Sequence, residues 1–235
     1  MTAPLLSGRS REIERMDVES VTPEDLARAL SDLEWLTALG MSHRPVLGWL
    51  SRISRGRREF SVLDVGCGGG DMLRRIALWG AARGMSMRLE GVDLNPLACR
   101  TAERATDPAL PITWRTGDAM AEDSLSSPDV IISSHFAHHL SDAELVHFVQ
   151  WMEASANIGW FINDLHRHRL PERFLQLLGK TVRLHRFVVH DGPVSVRRSF
   201  VRRDWKRILT AAGIDRSRIE IRWYMPFRWG VGTRP

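Results

Sequence analysis

A short apolar segment that runs directly into a glycine-rich turn constrains the fold of this chain more than any other feature. Four of the six residues at 60–65 are apolar, as in a buried strand, and glycines follow at positions 66 and 68 to 70, before a helical pattern begins at Asp71. Glycine permits the backbone angles of a tight turn and lets a ligand approach the main chain. Strand, glycine turn and helix in this order are typical of a parallel α/β sheet that binds a nucleotide-like ligand.

The residues around these glycines narrow the choice of ligand. Asp71 stands where the dinucleotide pattern Gly-x-Gly-x-x-Gly needs its third glycine, and the Gly-Lys-Ser/Thr of a P-loop is missing. Asp64 places a carboxylate at the end of the strand, where it repels phosphate. We therefore expect a ligand that is cationic or carries hydroxyl groups.

Residues 64–70 resemble motif I of the class I S-adenosylmethionine-dependent methyltransferases, whose pattern is Asp/Glu-x-Gly-x-Gly-x-Gly. The acid and the three glycines match at all four positions. Two later acids agree with the same family, because Asp93 ends the second predicted strand and Asp118 follows the third. The resemblance covers residues 60–165 well and 199–231 loosely, and it implies S-adenosylmethionine as the cofactor.

The resemblance also implies how the donor is held. The glycine loop wraps the methionine part of the donor, and Asp64 helps to hold its ammonium group. Asp93 accepts hydrogen bonds from the ribose hydroxyls, while Asp118 meets the adenine amino group and Ala119 flanks the ring. The residues that we predict to bind the donor are Asp64, Gly66, Cys67, Gly68, Gly70, Asp93, Leu94, Asp118, Ala119 and Ser134.

Strand and helix patterns alternate beyond the glycine loop. Strands are predicted at 88–93, 112–116, 129–133 and 159–164, and helices at 71–83, 96–105 and 141–155. A C-terminal hairpin is predicted from 219–224 and 227–231. This alternation indicates an α/β fold. We expect a doubly wound, mostly parallel, seven-stranded Rossmann-like methyltransferase sheet with an N-terminal helical cap and a C-terminal antiparallel hairpin.

One domain accounts for the 235 residues, since this length supports a single core. Its parts are a tail with cap helices at 1–59, a donor-binding half at 60–165, a substrate-side insertion at 166–200, and a C-terminal helix with strands at 201–235. Residues 1–15 are expected to be disordered or loosely attached. Asp191-Gly192-Pro193 predicts a turn within the insertion.

The net charge of +5 would suit an anionic partner, and arginines are concentrated in residues 166–222. We expect solvated surface there and do not expect nucleic acid as a partner. No apolar run reaches the roughly 20 residues that span a bilayer, and the first residues do not resemble a signal peptide. The two cysteines form no disulfide framework, so we expect a cytoplasmic protein. A homodimer is compatible with the sequence.

Three histidines, His135, His138 and His139, follow the fourth predicted strand. Histidine titrates near neutral pH and can accept a proton from a hydroxyl group. Asp164 ends the fifth predicted strand, where it could orient such a base. We predict His138 as the base and Asp164 as its partner, with His139 and His135 as reserves.

No metal ion is expected from the sequence. Metal-dependent catechol-type methyltransferases need an aspartate after the fourth strand and Asp-Asn after the fifth. Here the fourth strand leads into Ser133, Ser134 and His135, and the fifth carries Asn163-Asp164 in the reverse order. The pair His166 and His168 lacks further ligands and is expected at the surface.

The aromatic content favours an apolar acceptor. Seven aromatic residues are expected near the cleft, where some could line a pocket for a planar ring: Phe136, Trp160, Phe187, Phe200, Trp223, Phe227 and Trp229. We therefore predict methyl transfer to a hydroxyl group of a small aromatic molecule. Three alternatives stay open: methylation of carbon on a similar molecule, methylation of RNA or protein through the basic C-terminal half, and a non-catalytic protein that binds the donor.

Overall fold

The computed structural model describes residues 8–19, 21–121 and 127–235. Its strands are β1 (Glu59–Val65), β2 (Ser86–Asp93), β3 (Ile112–Thr116), β4 (Val130–Ser134), β5 (Gly159–Leu165), β6 (Ile219–Tyr224) and β7 (Arg228–Thr233). They form one sheet in the order β3-β2-β1-β4-β5-β7-β6. The first five strands pair in parallel, and β7 is antiparallel to β5 and β6. The expected seven-stranded, mostly parallel sheet with a C-terminal hairpin is confirmed.

Helices surround this sheet. They are α1 (Arg15–Val18), α2 (Pro23–Leu39), α3 (His43–Ile53), α4 (Asp71–Ala81), α5 (Pro96–Arg104), α6 (Asp142–Ser155), α7 (Arg169–Thr181), α8 (Arg186–Arg198) and α9 (Arg202–Ala211). Short 3-10 turns lie at Ala137–His139 and Arg216–Arg218. Helix α2 begins as its sequence predicts, because the Thr22 hydroxyl accepts a hydrogen bond from the Asp25 backbone and Pro23 follows the cap. None of the helices in these described ranges is long and apolar enough to cross a membrane.

The core lies on both faces of the sheet because neighbouring residues of a strand point to opposite sides. In β4, Ile131 packs with Trp160 on one face. Ile132 packs on the other face, where the Trp49 ring stacks on Phe161 with centroids 5.2 Å apart. Helices therefore cover both faces, as in a doubly wound fold.

The turn predicted at Asp191-Gly192-Pro193 is wrong, because these residues lie inside helix α8. The helix continues through them because its buried side chains, such as Phe187 and Val194, fill the space between it and its neighbours. Asp191 contributes as well, since its carboxylate accepts hydrogen bonds from the backbone N–H groups of Arg15 and Met16. Tertiary contacts thus override the local turn preference.

The N-terminal segment is bound along part of its length. Residues 1–7 lie outside the described residues, so the expectation of a loose tail stands untested there. From position 8 onward that expectation is wrong, because the Arg9 guanidinium donates to Asp142 at 2.9 Å and to the Leu140 carbonyl at 2.7 Å. It also lies 4.4 Å from the centroid of the Phe200 ring. The segment is therefore fastened beside the ends of β4 and β5.

Arg9→Ala is expected to destabilise the protein by about 2–4 kcal/mol, because it removes several charge-assisted hydrogen bonds at a largely buried position. Chemical denaturation measures this change in the free energy of unfolding. Arg11→Ala is the matched control, since Arg11 is an exposed arginine of the same segment. Equal stability of the two variants would show that Arg9 does not fasten the segment.

Several arginines of the basic segment pair with acids instead of facing solvent. Arg197 bonds to Glu12 at 2.6 Å and to Glu172 at 3.0 Å. Arg167 is fully buried and lies 3.0 Å from Asp204. The expectation of solvated surface is wrong for these side chains. Much of the local positive charge is neutralised inside the chain, where it holds the N-terminal segment and the C-terminal helices together.

Candidate functional site: a donor cavity and an acid–histidine cluster

A small buried cavity lies at the carboxyl ends of β1 and β4. Asp64, Gly66, Cys67, Ser134 and His135 line it together with residues from helices α2 and α4. Two of its polar atoms, Asp64 Oδ1 and Ser134 Oγ, are buried and have no hydrogen-bond partner in the described part of the chain. Unsatisfied buried polar atoms are rare in folded proteins. The cavity is therefore suited to a ligand that supplies hydrogen-bond donors.

Asp64 gives this cavity its electrostatic character. Burial raises the pKa of the carboxyl group well above its usual value, and the neighbouring Asp71 and Asp93 raise it further. A buried carboxylate that faces no cation is costly. An ammonium group would restore its ionised form, so the residues present fit the methionine end of S-adenosylmethionine.

The glycines of the loop are required by their backbone angles and by their neighbours. Gly66, Gly68 and Gly70 all have positive φ, at 71°, 52° and 77°. A Cβ at Gly66 would lie 2.6 Å from the ring of Phe136, and one at Gly70 would overlap the ring of Trp114. Side chains at these two positions are excluded by the protein itself, whereas a Cβ at Gly68 would make only an ordinary contact with Leu30 at 3.8 Å.

Asp93 lies at the end of β2 and holds the glycine loop. Its carboxylate accepts hydrogen bonds from the backbone N–H groups of Gly68 and Asn95, both at 2.9 Å. Burial raises its pKa, while these hydrogen bonds act in the opposite direction. The side chain is half-buried, and each carboxylate oxygen can accept a further hydrogen bond beyond these two. Leu94, the next residue, is exposed.

The remaining predicted donor residues lie around the same edge of the sheet. Asp118 and Ala119 follow β3, with Asp118 exposed and Ala119 buried. The Asp118 carboxylate accepts a hydrogen bond from the backbone of Met120. Cys67 lies in the loop, and a hydrogen bond with Cys99 raises the pKa of its thiol. The structure thus brings the residues that were predicted to bind the methyl donor to the carboxyl ends of β1 to β4.

His138 and Asp164 form a buried pair. The His138 backbone N–H donates to one carboxylate oxygen of Asp164 at 3.0 Å, and its Nδ1 lies 2.8 Å from the other. On the opposite side of the imidazole, Nε2 lies 3.5 Å from Oε1 of Glu14. Burial lowers the pKa of His138, but Asp164 and Glu14 outweigh it and raise the pKa to about 10. His138 therefore stands between two carboxylates as a cation near neutral pH.

The positive charge of His138 conflicts with its predicted role as a base. An imidazolium carries protons on both nitrogens and has no lone pair with which to accept another. The contact between His138 and Asp164 matches the predicted geometry. The other ring nitrogen, Nε2, would have to face the substrate in a general base, but it faces Glu14. Burial raises the pKa of Glu14, but His138 lowers it to about 2 overall. Sequence reasoning missed Glu14 because the residue lies in the segment expected to be loose.

The other two histidines have different surroundings. His139 is partly exposed, and its Nδ1 lies 3.0 Å from Oδ2 of Asp17. His135 lines the donor cavity with φ at 57°, which is rare for a residue other than glycine. Burial and the neighbouring Arg228, whose guanidinium contacts the ring, together lower its pKa to about 3. His135 is therefore neutral beside the donor cavity.

Most of the aromatic residues expected around the cleft lie in the core. Trp160, Phe187 and Phe200 are buried almost completely. Phe136 is the one that borders the glycine loop, through its contact with Gly66. A group at the hairpin contains the more accessible Trp223, Phe227, His166 and His168 together with the buried Trp229. The buried aromatic residues therefore pack in the core, and the expectation that some of the seven line a pocket stays a prediction for the others.

Comparison with known proteins agrees with this geometry. Residues 62–158 match the family model described as a methyltransferase domain. No curated protein matches the sequence. Among solved structures, human N-acetylserotonin methyltransferase has 15% identity and a TM-score of 0.64, over 91% of this chain and 56% of that chain. This chain thus spans little more than half the length of that protein.

Two other solved structures correspond more closely in length. Magnesium protoporphyrin IX methyltransferase from Synechocystis PCC 6803, with bound SAH, has 15% identity and a TM-score of 0.57, over 84% of both chains. A SAM-dependent methyltransferase from Aquifex aeolicus has 17% identity and a TM-score of 0.60, over 91% of this chain and 98% of that chain. At these identities the likeness concerns the fold.

The family match and the sheet agree over the donor-binding half of the chain. The matched residues run from β1 to the residue before β5, and they contain the glycine loop, Asp93 and the three histidines. Residues 62–158 therefore match a methyltransferase domain, and the sheet has the class I methyltransferase fold that the resemblance of residues 64–70 implies.

Proposed function

We propose that this protein transfers the methyl group of S-adenosylmethionine to a hydroxyl group of a small aromatic acceptor. The observation that carries the proposal is the buried cavity beside the glycine loop, where Asp64 Oδ1 and Ser134 Oγ have no partner among the described residues. The ammonium group of the donor supplies N–H groups for both. Solved structures with the same fold are named as enzymes that use this donor, which supports the choice.

Each remaining part of the donor has a candidate partner. The ribose hydroxyls would donate to Asp93, the adenine amino group to Asp118, and the ring would lie against Ala119. When bound, S-adenosylmethionine supplies an electrophilic methyl group on a sulfonium, a good leaving group. The chain's own residues would hold donor and acceptor in line and exclude water.

The acceptor side is assigned to the region of the Ala137–His139 turn, which follows the cavity residues Ser134 and His135. The insertion at 166–200 contributes here, because Arg198 of helix α8 donates to the carbonyl oxygens of His138 and His139 at 3.0 and 2.7 Å. A hydroxyl acceptor must lose a proton during transfer. The carboxylate of Glu14, beside His138, has lone pairs that can receive it, but its lowered pKa makes it a weak base, so the proton is expected to pass on to water.

A small acceptor is favoured over RNA. The paired arginines of the C-terminal half leave fewer free charges for phosphate than the sequence suggests. The relatives' names, N-acetylserotonin and magnesium protoporphyrin IX, refer to small molecules with aromatic rings. A cytoplasmic location and a homodimer stay predictions from the sequence.

Asp93→Ala is expected to weaken binding of S-adenosylhomocysteine by roughly 10–100-fold, because two hydroxyls lose a charged acceptor and Gly68 loses its partner. Calorimetric titration measures the affinity. Glu90→Ala is the matched control, since Glu90 lies on the same strand but pairs with Arg115 at 3.1 Å. Wild-type affinity in the Asp93 variant would remove the proposed ribose contact.

A further inference from the structure

Two histidines and one glutamate direct ligand atoms toward one another at the Ala137–His139 turn. Nε2 of His138 lies 3.5 Å from Oε1 of Glu14, and Nε2 of His139 lies 3.8 Å from Oε2 of the same carboxylate. The two imidazole rings are neighbours, with centroids 4.4 Å apart. The three ligand atoms all lie within 4.8 Å of one another. The residues thus surround one point with two nitrogens and a carboxylate oxygen.

A second carboxylate holds the far side of each imidazole. Nδ1 of His138 lies 2.8 Å from Asp164, and Nδ1 of His139 lies 3.0 Å from Asp17. Each carboxylate can accept a hydrogen bond from an Nδ1–H group. This arrangement leaves the Nε2 atoms directed toward one another. Carboxylate–histidine pairs of this kind fix the ring orientation of histidine ligands in zinc proteins. A metal ion bound at Nε2 of His138 would take the place of any proton on that atom.

The spacing of these atoms suits an ion better than a direct hydrogen bond. Separations of 3.5 and 3.8 Å are long for hydrogen bonds between imidazole and carboxylate. Two ligand atoms on a tetrahedral Zn²⁺, each ~2.0–2.1 Å from the ion, are about 3.3 Å apart. The observed separations therefore need only a small contraction to close around such an ion.

We propose that Glu14, His138 and His139 form a binding site for a divalent transition-metal ion, with Zn²⁺ the best match to the donor set. Two imidazoles and one carboxylate are ligands that Zn²⁺ binds readily, whereas Mg²⁺ prefers oxygen ligands alone. Three protein ligands leave a fourth position open. Glu14 and His138 are buried and His139 is partly exposed, which gives this position access from one side. This proposal differs from the sequence-based expectation of no metal.

The open position could take part in methyl transfer, and this role rests on the proposed function, whereas binding of the ion does not. A hydroxyl group bound to Zn²⁺ loses its proton to water more readily. Its oxygen then forms a bond to the methyl carbon, the carbon–sulfur bond breaks, and the bonding electron pair stays on sulfur. The ion would thus help to deprotonate the acceptor hydroxyl group. His138 does not offer this help as a free base, because it contacts carboxylates on both sides.

Calorimetric titration of the chelator-treated full chain with ZnCl₂ tests the site. We expect one Zn²⁺ per chain, no comparable binding of MgCl₂, and an affinity at least about 100-fold lower in His139→Ala and Glu14→Gln. Asp17→Asn, which changes only a partner of His139, should weaken binding by roughly 10–100-fold. His147→Ala is the matched control, because His147 is an exposed histidine on helix α6.

Circular dichroism of each variant confirms that the fold is intact, and Glu14→Gln keeps the shape of its side chain. The proposal is overturned if the wild-type chain shows no saturable Zn²⁺ binding. It is equally overturned if the folded His139 and Glu14 variants bind as tightly as the wild type. Titration of the same chelator-treated protein with S-adenosylhomocysteine keeps the two proposals apart, since donor binding does not need the ion.

Discussion

Replacing Asp64 by asparagine is expected to stabilise the ligand-free protein and to remove most of its affinity for the donor. Asp64 is buried, and its Oδ1 has no partner among the described residues. A neutral amide avoids the cost of burying an unpaired carboxylate, which should raise the free energy of unfolding by about 1–3 kcal/mol. The same change removes the charge that pairs with the ammonium group, so affinity should fall by roughly 10–100-fold.

The pH dependence of this effect has a definite sign. Because the pKa of Asp64 is raised in the folded protein, its contribution to stability is fully present below the pKa of an unfolded aspartate. That contribution is lost as the pH rises through the folded pKa. The stability advantage of Asp64→Asn should therefore grow with pH across this window. Donor affinity of the wild type should rise across the same window, because the ammonium group needs the ionised carboxylate.

Thermal denaturation with and without S-adenosylhomocysteine, at several pH values, measures both effects. Asp71→Asn is the matched control, since Asp71 lines the same cavity and also has a raised pKa, but accepts a hydrogen bond from Thr37 at 3.2 Å. It should gain less stability, because Thr37 and the neighbouring Arg74 and Arg75 offset part of the cost of burying its charge. If Asp64→Asn were less stable than the wild type without ligand, Asp64 would not be a buried carboxylate that lacks a partner until a cation binds.

Gly70→Ala is expected to destabilise the protein by about 2–4 kcal/mol, the sum of strain at positive φ and overlap with a packed ring. Gly70 has φ of 77°, and the Cβ of an alanine would overlap the ring of Trp114. Because Gly70 precedes helix α4 in the glycine loop, the displaced loop should also bind the donor less tightly. Urea denaturation and calorimetry with S-adenosylhomocysteine measure the two losses.

Gly56 offers a matched comparison for this change. It has the same φ of 77° but no atom within 4 Å of the position of a Cβ. Gly56→Ala should therefore cost only the strain, about 1 kcal/mol, and leave donor affinity unchanged. If the two alanine variants were equally stable, the contact between Trp114 and the loop would not be the reason for glycine at position 70.

The sheet was predictable from the sequence because its signals are local. Strands β3 and β6 begin and end at the predicted residues, since each is a short apolar pattern between turn residues. The N-terminal part was not predictable in this way. Arg9 binds the carbonyl of Leu140, which is 131 positions away, and no local pattern reports such a contact.

The candidate site likewise has one part that was predictable from the sequence and one part that was not. The contact between His138 and Asp164 followed from the rule that parallel strands place their carboxyl ends at one edge of the sheet. Glu14 depends on the docking of a segment that has little regular structure, and its effect on His138 appears only when both are placed in space. The helix across Pro193 was missed for a similar reason, because buried contacts outweighed a strong turn signal.

The measurement that tests the account most directly is calorimetric titration of the wild-type protein with S-adenosylmethionine and S-adenosylhomocysteine. We predict saturable binding of both at one site per chain, weakened roughly 10–100-fold in the Asp64→Asn and Asp93→Ala variants. Folded protein that binds neither would contradict the assignment of the glycine loop and its cavity to the methyl donor, and the proposed methyl transfer would fall with it.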